Sequence, residues 1–165
     1  MTKVLGKIAL AFYEERYKDQ ICHYELDDSQ KQFTTLPSDA LSICEKDMSC
    51  FPIVMLHHEM PVGFFILQVG EEIQHYTNQE NAMLIRSVSV NPAYQGMGFA
   101  QHAMGTLPEF VSSTFPDIKE LFLIVNLKNT RAEHVYLKTG YLDRGIRRHD
   151  PSGIKKILHY VLNDK

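Results

Sequence analysis

Gly96 and Gly98 stand in the run Val88-Ser-Val-Asn-Pro-Ala-Tyr-Gln-Gly-Met-Gly-Phe-Ala100, the part of the chain with the most legible chemistry. An apolar strand pattern stops at Asn91-Pro92, a glycine-rich turn follows, and a helix-compatible run begins at about Gly98. At such a junction the backbone amides lack intrahelical partners, and the positive end of the helix dipole points the same way. Glycines there allow close approach of a ligand to the backbone. The chemistry implied is anion binding by main chain, a phosphate or pyrophosphate cradle without a lysine.

Three kinds of cradle compete for the stretch. A Walker loop needs a Lys-Ser/Thr pair after its last glycine, and none is present. A dinucleotide fingerprint needs a third glycine, which Gly96-Met97-Gly98-Phe99-Ala100-Gln101 lacks, and it lies past mid-chain, leaving too little sequence for a doubly wound sheet. The pattern Gln/Arg-x-x-Gly-x-Gly/Ala is matched by Gln95, Gly98 and Ala100, with Gly96, Met97 and Phe99 between. Here the chain resembles the GNAT superfamily of acyl-CoA-dependent N-acyltransferases, in which this turn grips the pyrophosphate of coenzyme A.

A second segment is similar to the same family: Asn129, then Ala132, Tyr136, Gly140 and Tyr141, in the family's order. Physical reading agrees with it. Asn129 is a good N-cap; Ala132, Val135, Tyr136 and Thr139 share one helical stripe; Gly140 suits the end of the helix. The resemblance covers Ala82 to Leu142 well and the rest loosely.

The resemblance implies an α+β fold: a GNAT-like central mixed, mostly antiparallel sheet of about seven strands, flanked by three to four helices. It implies acetyl-CoA as co-substrate and an acetyltransferase activity. Main-chain groups of Val88 and Val90 would hold the pantetheine in a gap between splayed strands. Gln95, Gly96, Met97, Gly98, Phe99 and Ala100 would hold the pyrophosphate, and Asn129 would touch the cofactor. Tyr136 would be the acid that protonates the leaving thiolate, since a phenol stays protonated at neutral pH yet can donate.

An amine attacking the thioester directly needs no acyl-enzyme, but it must lose a proton. Many relatives carry a glutamate on the strand before the turn; Met83-Leu-Ile-Arg-Ser-Val-Ser-Val90 has none. Base candidates are water held by Ser87 or Ser89, or Glu80, His57, His58 or His75, with release to bulk water as another route. Arg86 shares parity with Leu84, Val88 and Val90, a face that otherwise reads as buried. It either binds an acidic group of the substrate or is a structural arginine, paired or snorkelling.

The positioning elements read as follows. Ile21 to Leu26 alternates like a strand closed by Asp27-Asp28-Ser29, and Thr35 to Asp47 looks helical with Ser38 as N-cap. Phe51–His57 and Val62–Gln68 are apolar runs joined as a hairpin through residues 58–61. A polar turn at 78–81 precedes the Met83–Val90 strand. The helix from Gly98 meets Pro108, which should kink or break it near Thr106. Ile118–Asn126 suits a central strand, and Tyr141–Arg147 with Ile154–Leu162 a closing antiparallel pair. The segment before Glu14 reads as a helix or strand of the mature protein.

Composition sets the class. The 165 residues suit a single domain, 1–165, and 44% hydrophobic with 22% charged residues is ordinary for a globular protein. With 17 basic against 20 acidic residues and no basic run, nucleic acid is not favoured. No membrane span is expected. Cys22, Cys44 and Cys50 match no metal spacing and read as reduced structural cysteines of a cytoplasmic protein. A metal at His57, His58 and His75 is disfavoured, because adjacent strand residues face opposite ways. Arg144, Arg147, Arg148 and His149 form a basic strand end, and Glu71 and Glu72 a surface turn that could draw in a polyamine. The reading is N-acetylation of a small primary amine or polyamine, with a protein N-terminus or lysine as the second choice. Rivals are a non-catalytic acyl-CoA-binding module and a nucleotide-binding protein. Paired β-edges at the C-terminus offer a surface for a homodimer.

Overall fold

The apolar runs assemble into one seven-stranded sheet in a computed structural model that describes residues 8–162. The strands are β1 Ala9–Phe12, β2 Cys50–His57, β3 Met60–Gln68, β4 Ala82–Val90, β5 Glu120–Asn126, β6 Leu142–Asp150 and β7 Gly153–Val161. Their order is β1-β2-β3-β4-β5-β7-β6, antiparallel throughout except for the parallel β4–β5 pair. The helices are α1 Lys18–Cys22, α2 Asp28–Lys31, α3 Pro37–Cys44, α4 Phe99–Thr114 and α5 Thr130–Lys138. The expected mixed, mostly antiparallel sheet is present; α1 and α2 are short additions to the expected helices.

Two apolar layers cover the sheet. On one face Met83, Ile85, Leu121, Leu123 and Val125 pack with Phe99, Ala103, Met104, Leu107 and Val111 of α4 and with Tyr136 of α5. On the other, Val54, Phe64 and Ile66 pack with Ile21 of α1 and Ala40 of α3, while Leu84, Phe122 and Ile157 pack with Ile73. Full burial of each such large side chain contributes about 1.5–3 kcal/mol.

Several expectations are corrected. Residues 21–26 form no strand: Ile21 belongs to α1, and Ile21, Tyr24 and Leu26 are buried beneath the sheet as a helix and its exit. An alternating apolar pattern does not separate a strand from a short helix with a buried exit. Asp27 does not close a strand but caps α2, its carboxylate accepting from the Gln30 amide in a capping box. The N-cap of α3 is Leu36, with Pro37 at the first position, rather than Ser38, because proline there needs no amide partner. α4 runs unbroken through Pro108; the Thr106 hydroxyl bonds the carbonyls of His102 and Ala103 in the turn before the proline, and the buried stripe holds the helix on the sheet. Cys44 and Cys50 are joined in a disulfide, leaving Cys22 free, because the end of α3 and the start of β2 bring their Cα atoms to 5.4 Å. Of the N-terminal segment, Ala9–Phe12 is strand β1, and residues 1–7 lie outside the described residues.

The parity of β4 is also corrected. Ser87 has φ 57°, and between the Ile66↔Arg86 and Phe64↔Ser89 pairs β4 spends one more residue than β3. This β-bulge switches the faces of β4. Met83 and Ile85 before it, and Val88 and Val90 after it, all join the α4–α5 layer. Arg86 lines the cavity on the opposite side with Leu84, and at the end of the β4–β5 pairing it also borders the space that Val88 and Val90 line.

Candidate active site

β4 and β5 are paired only from Ala82↔Glu120 to Ile85↔Leu123, and beyond that point they part. The bulge at Ser87 lies where the pairing ends. A cleft of about 540 Å³ opens there on the α4–α5 side, bounded by β4 residues 85–90, the turn after β4, the start of α4, and α5. A second cavity of about 520 Å³ lies on the opposite side, lined by Gln68, Glu72, His75, Tyr76, Arg148 and Lys155 among others. Phe33, Ile85, Arg86 and Ile124 line both, so the two spaces meet at the splay.

The glycine turn has the backbone that its sequence implies. Gly96 and Gly98 both take left-handed backbone, φ 80° and 82°, and nothing lies within 4 Å of where a Cβ would stand at either. Gly98 is the N-cap of α4 with no side-chain cap, and His102 is the residue whose amide reaches back to the Gly98 carbonyl. The amides of Phe99, Ala100 and Gln101 precede that bond and face the end of the cleft that these residues line. The Phe99 ring is buried against His57, at 4.7 Å between centroids, so only its main chain is offered to a ligand. Met97 is exposed and its side chain is not among the groups that line the cleft. Gln95 donates to the Val90 carbonyl at 2.8 Å and accepts from Gln30 at 3.0 Å, tying the turn to β4 and α2. The Val88 carbonyl accepts from the Thr34 hydroxyl at 3.2 Å and keeps a second lone pair.

Asn129 caps α5 as its sequence suggests, its Oδ1 accepting from the Ala132 amide at 3.3 Å, and it lines the cleft. Tyr136 lines the same cleft from α5 and is 9% exposed. Its ring meets that of Tyr141 edge-on at 5.9 Å between centroids. Burial raises its pKa above that of an ordinary tyrosine. Lys128 and Arg131, at the start of α5, also line the cleft. Sequence reasoning missed them because no motif position marks them; their place just before and inside an Asn-capped helix was the available signal.

The base candidates are dispersed. Ser87 and Ser89 both line the cleft, Ser87 at the bulge and Ser89 buried and hydrogen-bonded to the Tyr24 hydroxyl at 2.7 Å. The His57 and His58 rings lie tilted against each other at 4.2 Å rather than on opposite faces, because β2 ends at His57 and His58 turns off with φ 49°; they line neither space, nor does Glu80. His75 does line the second cavity, together with Glu72. Arg86 donates to Gln68 Oε1 at 2.7 Å, and Gln68 Nε2 donates to Glu72 Oε2 at 3.0 Å. Of the basic strand end, Arg144 pairs with Glu120 at 2.8 Å and Arg147 with Asp143 at 2.9 Å, while Arg148 reaches the cavity with its guanidinium 5.1 Å from the Tyr76 ring centre. No group of three or more His, Cys, Asp or Glu among the described residues is arranged to hold a metal ion. No helix among them is long and apolar enough to cross a membrane.

Comparison with known proteins adds an independent line. The model of the acetyltransferase (GNAT) family matches residues 14–141. An uncharacterized N-acetyltransferase of Bacillus subtilis (strain 168), YbbJ, is 40% identical over 156 residues, which are 94% of this chain and 98% of that one. Among solved structures, an aminoglycoside acetyltransferase AAC(6′)-Ib in complex with coenzyme A superposes with a TM-score of 0.75 at 16% identity, covering 94% of this chain and 95% of its own. The spermidine N-acetyltransferase of Vibrio cholerae, in complex with CoA and spermine, does so with a TM-score of 0.71 at 15% identity, covering 94% and 96%.

Proposed function

This chain belongs to the acetyltransferase (GNAT) family, and on that premise we propose that it transfers the acetyl group of acetyl-CoA to the amine of a small molecule held in the cavity across the splay. The observation that carries the reading is the meeting of two spaces at the point where β4 and β5 part. One has a main-chain anion cradle at its end and the other has mixed charge. The acceptor side is a cavity of about 520 Å³, a size suited to a small molecule more than to a folded protein surface.

Acetyl-CoA occupies the α4–α5 cleft in this reading. The free amides at the start of α4 bind the pyrophosphate, Lys128 and Arg131 lie within the same cleft as countercharges, and the pantetheine arm runs along the unpaired end of β4. The thioester then lies at the splay beside Tyr136. The amine nitrogen of the acceptor attacks the acetyl carbonyl carbon, a C–N bond forms, and the C–S bond breaks. The thiolate takes the Tyr136 proton, and the proton lost by the amine leaves through water, with Glu72 and His75 as the carboxylate and imidazole on that side. The raised pKa of Tyr136 keeps it protonated while it waits to donate.

Thiol release from acetyl-CoA in the presence of a panel of amines tests the proposal. Amine-dependent release, lost in Tyr136→Phe with acetyl-CoA binding kept, supports it; binding of acetyl-CoA with no transfer to any amine would leave only an acyl-CoA-binding module.

A further inference from the structure

We infer that the acceptor is an amino-acid-like zwitterion, an amine carrying a carboxylate a few bonds away, and that Arg86 and Arg148 receive the carboxylate. The inference rests on the N-acetyltransferase reading and names the substrate class of that same site.

The charges facing the acceptor cavity are Arg86, Arg148 and Lys155 against Glu72 and Asp150. Lys155 and Asp150 cancel each other at 2.9 Å, and Asp150 is further held by the Ser152 amide and hydroxyl, which with Lys155 lower its pKa to about 2. What remains are two guanidinium groups and one carboxylate. A polycation would meet a net positive charge there, with Glu72 as the one carboxylate left to receive an ammonium.

Arg86 is half-buried, and among the described residues its one side-chain hydrogen bond is to the neutral Gln68 amide. A guanidinium carries five N–H donors, so most are unused. Asp47, the carboxylate whose pKa Arg86 helps to lower, is bonded first to the Ser49 hydroxyl and amide, and no ion pair joins the two. A partly desolvated arginine without a carboxylate partner is costly, and a bidentate carboxylate is the group that fits its fork. Arg148 is oriented by the Tyr76 ring.

Position sets the length of the acceptor. Arg86 lines both spaces, beside the bulge where β4 leaves β5. A carboxylate held there keeps the attached amine next to the thioester only if few bonds separate them. Glu72, reached from Arg86 through Gln68, supplies the opposite pole for the ammonium before it loses its proton.

The test uses the full-length protein, saturating acetyl-CoA and thiol release. Acceptors are the free amino acids, their carboxamides, spermidine and kanamycin. The expected result is that one or more amino acids are acetylated with kcat/KM at least about tenfold above their own amides, a preference of about 1.4 kcal/mol. Arg86→Met should raise KM for the acid about tenfold or more and collapse the acid-to-amide ratio toward one; Arg86→Lys should restore part of it. Preference for spermidine or kanamycin, or equal use of acid and amide, overturns the inference and leaves the acetyltransferase reading standing. Acetyl-CoA binding with no acceptor of any kind consumed counts against both. If Arg86→Met does not fold, the acid-to-amide ratio of the unmutated protein decides alone.

Discussion

Gln95 Nε2 donates to the Val90 carbonyl at 2.8 Å, so the residue at the head of the anion cradle is spent on holding the turn against the strand. Gln30 of α2 donates to its Oε1 at 3.0 Å and completes the clamp. Gln95→Ala removes both bonds at a partly exposed site. We expect acetyl-CoA affinity to fall about fivefold, on the order of 1 kcal/mol, with little change in melting temperature. Calorimetry beside a thermal scan checks this.

Gly98→Ala separates backbone strain from ligand space. At φ 82° an alanine costs about 1–2 kcal/mol, and nothing in the protein lies within 4 Å of its methyl group. Stability should drop by that amount, measured by denaturant unfolding. In the proposed reading acetyl-CoA affinity should drop further, by about tenfold or more, because the methyl would enter the space assigned to the pyrophosphate. Loss of stability alone, with affinity retained, speaks against a ligand at that turn.

Tyr136→Phe should lower kcat by about 100-fold, the scale of a lost general acid, while acetyl-CoA affinity stays within a factor of about two. Its side chain is 9% exposed and borders the cleft. Loss of a hydroxyl at the cleft lining should leave the variant about as stable as the parent. A clear loss of stability would mean that the hydroxyl serves the fold.

How far this site could be read from sequence depends on which residues carried local rules. The glycine turn and the Asn129 cap were legible because a glycine at positive φ and an N-cap are local demands. The face of Arg86 was not, since a bulge at a serine leaves no mark in an alternating pattern, and period-two counting from Leu84 to Val90 therefore fails in the middle. Ile21 to Leu26 misled for a similar reason: its three buried side chains are placed by a short helix and its exit, and the spacing imitates a strand. The Cys44–Cys50 bond and the second cavity depend on where α3, the 71–75 segment and β6 dock, which no local pattern states.

Reduction should be measurable. The Cys44–Cys50 bond closes a short loop, and the chain-entropy relation assigns such a cross-link about 2 kcal/mol. Dithiothreitol should lower stability by roughly that amount, and Cys44→Ser with Cys50→Ser should reproduce the loss without reductant.

Acid sensitivity has a defined source in His159. It is 3% exposed beside Glu120, and burial lowers its pKa against the opposing pull of that carboxylate. The folded state therefore binds the His159 proton less readily than the unfolded chain. The stability this represents is complete above about pH 6.5 and is lost as pH falls below it toward the depressed folded value. Unfolding free energies between pH 7.5 and 5 should decline in the parent and decline less in His159→Gln.

The proposed chemistry depends on a cleft for acetyl-CoA at the splay between β4 and β5. Its most direct test is calorimetric titration of the intact protein with acetyl-CoA, with free CoA, ATP and NAD as controls. Saturable micromolar binding of acetyl-CoA, weakened at least tenfold by Gly98→Ala and absent with NAD, is the result predicted. A folded protein that takes up no acetyl-CoA, or that prefers ATP or NAD, would contradict the account at its base.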